Sequence, residues 1–186
     1  MAMDQNKDIL DSDFTGNDSS RTEEFLISEN KFMFLCFISL GMYQVWWKYK
    51  AWKFFKEREN LDIIPAARAI FTLFFLHGLL TRILGYASSK GYGKDYSVTG
   101  MFIGYIIFSM FSRLSEPYYL IGLMNFTFLI PAFRAFNYAK ENSSDIKVIY
   151  LDQFTGRQVA LIAIGILLWL LILTGMFDPA MRVSGQ

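Results

Sequence analysis

The chain has 186 residues, of which 53% are hydrophobic, 18% aromatic and only 19% charged, a balance that argues against a soluble domain and for a membrane protein. The net charge of +1 offers no global field for a nucleic-acid partner. A single cysteine, Cys36, excludes an intramolecular disulfide and a cysteine-based zinc site, and its apolar surroundings read as those of a small buried filler.

Residues 1–30 form an acidic tail. Asp4, Asp8, Asp11, Asp13, Asp18, Glu23, Glu24 and Glu29 outnumber Lys7 and Arg21, with Ser, Asn and Gly between them. Such a segment buries too little apolar surface to offset its ordering entropy, so it is expected to be mostly disordered. It lacks the basic-then-apolar pattern of a cleavable signal. Ser28, just ahead of the first apolar run, has the chemistry of a helix N-cap.

Residues 31–178 read as a helical membrane domain, and 179–186 as a short tail. Charge-free windows fall at Phe32–Trp47, Ala69–Thr81, Tyr96–Ser112, Pro117–Phe133 and Gln158–Phe177. A spanning helix needs about 20 apolar residues. With aromatic or snorkelling ends, the windows extend to segments of about 32–52, 64–84, 96–112, 117–138 and 158–177. The expected fold is therefore all-α: a polytopic membrane protein of four or five transmembrane helices, the segment at 64–84 being either spanning or re-entrant. The runs do not alternate, which argues against a β-barrel.

The first segment leaves the lipid through alternating aromatics and lysines: Trp46, Trp47, Lys48, Tyr49, Lys50, Trp52, Lys53 and Lys56. Aromatic rings with a polar edge favour the bilayer–water boundary, and lysine stems lie along it. Loop 48–62 is densely cationic, which predicts a cytoplasmic placement. A five-span count then puts the acidic tail and residues 134–157 on the opposite side. Trp46, Trp47, Lys50, Trp52, Lys53, Lys56 and Arg68 form the candidate contact for a lipid or protein partner, anionic headgroups being the expected lipid class.

Pro65-Ala66-Ala67-Arg68 is echoed by Pro131-Ala132-Phe133-Arg134 and Pro179-Ala180-Met181-Arg182. The flanks do not align further, and shared boundary composition is the better explanation. Pro117 suits a helix start, and Arg113 and Glu116 are spaced for a local ion pair. Gly100 and Gly104 make a Gly-x-x-x-Gly that permits close helix packing.

The intramembrane polar candidates are His77 and Asn125. His77 is the only histidine and has no carboxylate in its window, so a hydrogen-bonded packing role outweighs a proton relay. Asn125 reads as interhelical glue. No catalytic, cofactor-binding or metal-ligating constellation emerges: Gly-x-Ser-x-Gly, His-Glu-x-x-His and Walker-type phosphate loops are all missing.

Lys31-Phe32, Gly41-x-Tyr43, Trp47-x-Tyr49-Lys50-x-Trp52-Lys53 and Ile64-Pro65-x-x-Arg68-x-x-Phe71 together resemble a domain-of-unknown-function family of small bacterial multi-pass membrane proteins. The resemblance is clear over residues 25–84 and fainter at 130–137. It implies a bacterial inner-membrane location and brings no substrate, cofactor or catalytic residue. Ala66-Ala67 departs from the family's more typical aromatic after the proline. The expected function is that of a membrane-embedded interaction or accessory protein, not an enzyme, with a protein partner or a homo-oligomer. The alternatives are a small-solute transporter or channel component and, third, a membrane-bound lipid-modifying enzyme. Transport predicts that His77, Asn125 and Thr72 line one path.

Overall fold

A computed structural model describes residues 22–114 and 118–177. The elements run in the order β1 (Thr22–Leu26), α1 (Glu29–Ile38), α2 (Met42–Glu59), α3 (Pro65–Ile70), α4 (Thr72–Ser89), α5 (Val98–Phe111), α6 (Tyr119–Gly122), a 3-10 run (Leu123–Leu129), α7 (Ile130–Glu141), β2 (Ile146–Tyr150) and α8 (Gly156–Phe177). The fold is thus mostly helical, with one small two-stranded parallel sheet. β1 pairs with β2 from Thr22 opposite Ile146 to Leu26 opposite Tyr150.

The expected bundle of four to five spans is not what forms. Among the described residues only two helical stretches are long and apolar enough to cross a membrane, Tyr119–Glu141 and Gly156–Thr174. The second is mostly exposed, with 11% of its apolar window buried against 39% for the first. Val98–Phe111 is apolar but shorter. The segments expected at 32–52 and 64–84 are each broken in the middle. Charge-free length counts residues but not chain reversals, and both segments reverse.

The first break has a backbone cause. Leu40 and Gly41 take φ of 51° and 86°, the left-handed region that ends a right-handed helix and that only glycine enters without strain. A Cβ on Gly41 would come 2.9 Å from Nε2 of Gln44, so space as well as φ favours glycine there. The chain folds back, and Phe32 of α1 meets Trp47 of α2 edge-on, with ring centroids 5.6 Å apart. The second break is at Phe71, which leaves helical geometry at φ −79°, ψ 49° and separates α3 from α4. Trp52 bridges this reversal, with Arg68 above its ring and Gly78 beside it.

Local chemistry sets the other helix ends. Ser28 caps α1, its side chain accepting from the Lys31 N–H at 3.3 Å, and Glu29 in the first turn suits the helix dipole. Pro65 opens α3, where its missing donor leaves no bond unmade. Pro131 sits likewise at the start of α7. Ser97 caps α5 through the Gly100 N–H at 3.1 Å. Gly104 lies hard against the Phe128 ring, so the Gly-x-x-x-Gly serves contact within the chain. Pro117, Glu116 and the third Pro-Ala-x-Arg lie outside the described residues, as does tail 1–21; residues 22–30 are β1 and the start of α1.

The core joins Phe32, Leu35 and Cys36 of α1 to Ala51, Trp52 and Phe55 of α2, Leu76, Leu79, Leu80 and Ile83 of α4, and Phe133 and Phe136 of α7. Phe32 stacks on Phe133 at 4.3 Å and Phe55 on Phe136 at 5.7 Å. α8 docks from outside onto α1. A Cβ at Gly165 would collide with the Ile38 carbonyl, and Trp169 stacks on Phe37 at 5.0 Å.

Two ends of the molecule are distinct. The sheet, the start of α1 and the C-terminal ends of α2, α4 and α7 meet at one end. The turns at residues 39–41 and 71 lie at the other. Loop 48–62 and residues 134–157, assigned to opposite sides by the five-span count, therefore share one end: Arg58 binds Asp145 at 2.6 Å, and Tyr86 meets Ser143 at 2.5 Å.

Candidate functional site

The basic–aromatic stretch splits by helical spacing. Gln44, Trp47, Lys48, Ala51, Trp52 and Phe55 of α2 are buried on one stripe. Trp46, Tyr49, Lys50 and Lys53 recur at three- and four-residue steps on the outward face. Along that face Trp46 lies 5.3 Å from Tyr49, Lys50 sits 5.6 Å over the Trp46 ring, and Lys53 pairs with Glu57 at 3.7 Å. Lys56 is exposed one turn further on. Of the seven candidate contact residues, Trp47 and Trp52 thus belong to the core, and Trp46, Lys50, Lys53 and Lys56 to a surface. Arg68 lies between the Trp52 and Phe75 rings, 4.6 Å and 5.0 Å from their centroids, which holds its guanidinium flat by cation–π attraction.

Sequence reasoning passed over Lys48. It counted as one more lysine of the cationic exit, yet it is 2% exposed. Its ammonium donates to Thr72 Oγ1 at 2.8 Å and Tyr105 Oη at 3.1 Å, and lies 5.1 Å from the Tyr105 ring centroid. Thr72 Oγ1 in turn donates a hydrogen bond to the Ala69 carbonyl at 2.7 Å. These partners are neutral, and no carboxylate is among them. The lysine therefore ties α2, about two turns past Gly41, to the tip of the second hairpin and to α5. The available signal was its place four residues after Gln44 and four before Trp52.

A second polar chain lies beside it. Gln44 Nε2 donates to Asn125 Oδ1 at 2.9 Å, and Asn125 Nδ2 donates to Ser109 Oγ at 2.9 Å. Asn125 links α2, α5 and the 3-10 run, as an amide between apolar helices is expected to do. Gln44 Oε1 is buried and has no partner. His77 stands apart: it is exposed and sets its ring edge-on to Phe102 at 5.7 Å. His77, Asn125 and Thr72 thus occupy three separate settings instead of one path.

The sheet end is an ion-pair clamp. Glu23 binds Lys147 at 2.6 Å, Glu24 binds Lys140 at 2.9 Å, and Glu29 binds Arg134. Lys31 donates to the carbonyls of Leu151 and Gln153 at 2.9 Å and 2.6 Å. The Arg58 guanidinium holds the Asp145 carboxyl below its ordinary range, and the Arg134 hydrogen bond does the same for Glu29. An open cleft of about 240 Å³ lies here, lined by Ile27, Glu29, Arg134, Asn137, Tyr138 and Tyr150 among others. Its charged and phenolic groups are engaged, Arg134 with Glu29 and Tyr150 with Glu141. Among the described residues no group of three His, Cys, Asp or Glu side chains is placed to hold a metal ion.

No family model, no curated protein and no solved structure matches the chain.

Proposed function

We propose that the chain is an integral membrane protein that acts as an interaction or accessory protein in the bacterial cytoplasmic membrane and carries out no reaction of its own. The observation that carries this reading is the outward face of α8. Val159, Ile164, Ile166, Leu167, Leu170, Leu171 and Leu173 are all exposed along one helix of mean hydropathy 2.2. Water disfavours so continuous an apolar surface, and a lipid environment removes the penalty. At 22 residues, α8 is about 33 Å long against a hydrocarbon core of about 30 Å. The stretch Tyr119–Glu141 is the second spanning element in this reading.

The sheet end faces the cytoplasm in this arrangement. Lys56, Arg58, Arg82, Lys140 and Lys147 collect there, and cytoplasmic boundaries favour lysine and arginine. The resemblance over residues 25–84 implies a bacterial inner-membrane location. A role in interaction fits polar side chains that are spent on holding helices together.

The test has two parts. Membranes carrying the full chain are washed with alkaline carbonate and floated on a density gradient. The protein is expected to stay with the lipid, and release into the soluble fraction would end the membrane reading. Crosslinking in cells followed by extraction in a mild detergent is expected to recover a stable partner or a homo-oligomer. Recovery of the monomer alone would end the accessory reading.

A further inference from the structure

We propose that the α1–α2 and α3–α4 hairpins form a wedge inserted into one leaflet from the sheet side, so that the protein concentrates on strongly curved membrane. This rests on the membrane reading and adds to it a membrane shape that the protein recognises.

Length comes first. α1 has ten residues, about 15 Å, and α3 has six, about 9 Å. A hydrocarbon core is about 30 Å thick, so neither helix crosses it before the chain turns back. Lys48, seven residues past Gly41 on α2, binds Thr72 at the tip of the second hairpin at 2.8 Å, which joins the two hairpins.

Polarity gives the direction. The tips expose Met42, Ile70, Phe71 and Phe74, the last at 74%. Going up α2 from its tip, the outward face changes from Met42 to the rings of Trp46 and Tyr49, then to Lys50 and Lys53, then to Lys56 and Arg58. That is the order of acyl chain, interface and water along a helix that enters from the sheet side. The ion pairs between elements lie at the opposite end from the tips.

The level at which the hairpins stop is marked by α8. Trp169 stacks on Phe37, next to the first turn, and α8 continues from there to Phe177, about 12 Å deeper. Beyond the tips run the rest of α8 and the ends of α5 and the 3-10 run near Ser109 and Asn125, while α1 to α4 stay in the near leaflet, which therefore carries the larger helix mass. A helix mass confined to one leaflet spreads its headgroups, and the strain is smallest where that leaflet is already expanded.

The experiment uses the full chain carrying Cys36→Ala and Lys56→Cys, reconstituted into vesicles of mixed diameter with a trace of lipid dye. An impermeant fluorescent maleimide labels only copies whose sheet end faces outward. The protein-to-lipid ratio is then read vesicle by vesicle. The ratio is expected to rise at least about threefold from vesicles of about 200 nm to about 40 nm. A ratio independent of diameter overturns the wedge and leaves the membrane reading standing. Failure of the protein to float with vesicles of any size overturns both. Nitroxides at Met42→Cys and Phe71→Cys, both on exposed side chains, check the depth independently. Relaxation by dissolved oxygen over aqueous nickel is expected at both, and the reverse would overturn the wedge even if sorting were seen.

Discussion

Lys48 shows how one residue sets the character of the interior. Its ammonium is buried between the Thr72 hydroxyl and the Tyr105 phenol, and gains no carboxylate to offset the loss of water. An apolar side chain of similar length is then no worse for stability than the lysine. Lys48→Met is expected to fold and to unfold at an equal or higher temperature, read from tryptophan fluorescence in micelles. Tyr105→Phe removes one of the two acceptors and is expected to destabilise the protein by about 1–3 kcal/mol. In the Lys48→Met background the same change should cost far less, because the donor it strands is gone. Equal costs in the two backgrounds would mean that the bond does not hold α2 to α5. Lys48 also marks a limit of sequence reading. Its charge suggested the exterior, whereas its helical position beside Gln44, Ala51 and Trp52 placed it inside.

Among the elements, the contact of α8 with α1 is the most sensitive to a small change. A glycine at 165 lets the helix backbones touch, since any Cβ would overlap the Ile38 carbonyl. Gly165→Val is expected to push α8 outward, break the Trp169–Phe37 stack and lower stability by about 1–3 kcal/mol. The reporter is disulfide formation between cysteines introduced at Phe37 and Trp169 in a Cys36→Ala background: efficient with Gly165 and strongly reduced with valine. Unchanged crosslinking would show that the close approach is not required. The helix signals were partly legible. Ser28 as a cap and Pro65 as a start both followed from local chemistry. The breaks at Leu40-Gly41 and Phe71 were not foreseen. An apolar window looks continuous whether it forms one helix or folds back on itself, and only the packing of Phe32 against Trp47 separates the two.

Across the whole molecule, the sheet end gathers parts that lie far apart in the chain. β1 and β2 are paired across most of its length, with Glu23, Glu24 and Glu29 each bound to a cation of the C-terminal half. The exposed pairs Glu23–Lys147 and Glu29–Arg134 are individually worth about 0–1 kcal/mol, whereas Lys140 is buried and needs Glu24 as its partner. The clamp makes a topological prediction. In intact cells carrying Cys36→Ala, single cysteines at Lys56 and Lys147 are both expected to resist an impermeant thiol reagent, and a cysteine at Arg113 to react. Opposite behaviour at Lys56 and Lys147 would contradict the shared end that Arg58 and Asp145 define.

The amino-acid sequence by itself determined which parts are apolar, where aromatics and lysines alternate, that α8 is long enough to cross a bilayer, and that Cys36 sits in an apolar run. These follow from composition and local periodicity, which need no knowledge of distant neighbours. The tertiary structure alone decided that the first two apolar segments are hairpins, that Trp47 and Trp52 face inward while Trp46 faces out, and that the acidic residues before α1 close onto α7 and β2. Each of these depends on contacts between residues far apart in sequence. Such contacts arise from shape and pairing among several helices at once, and no single stretch of the chain carries that information.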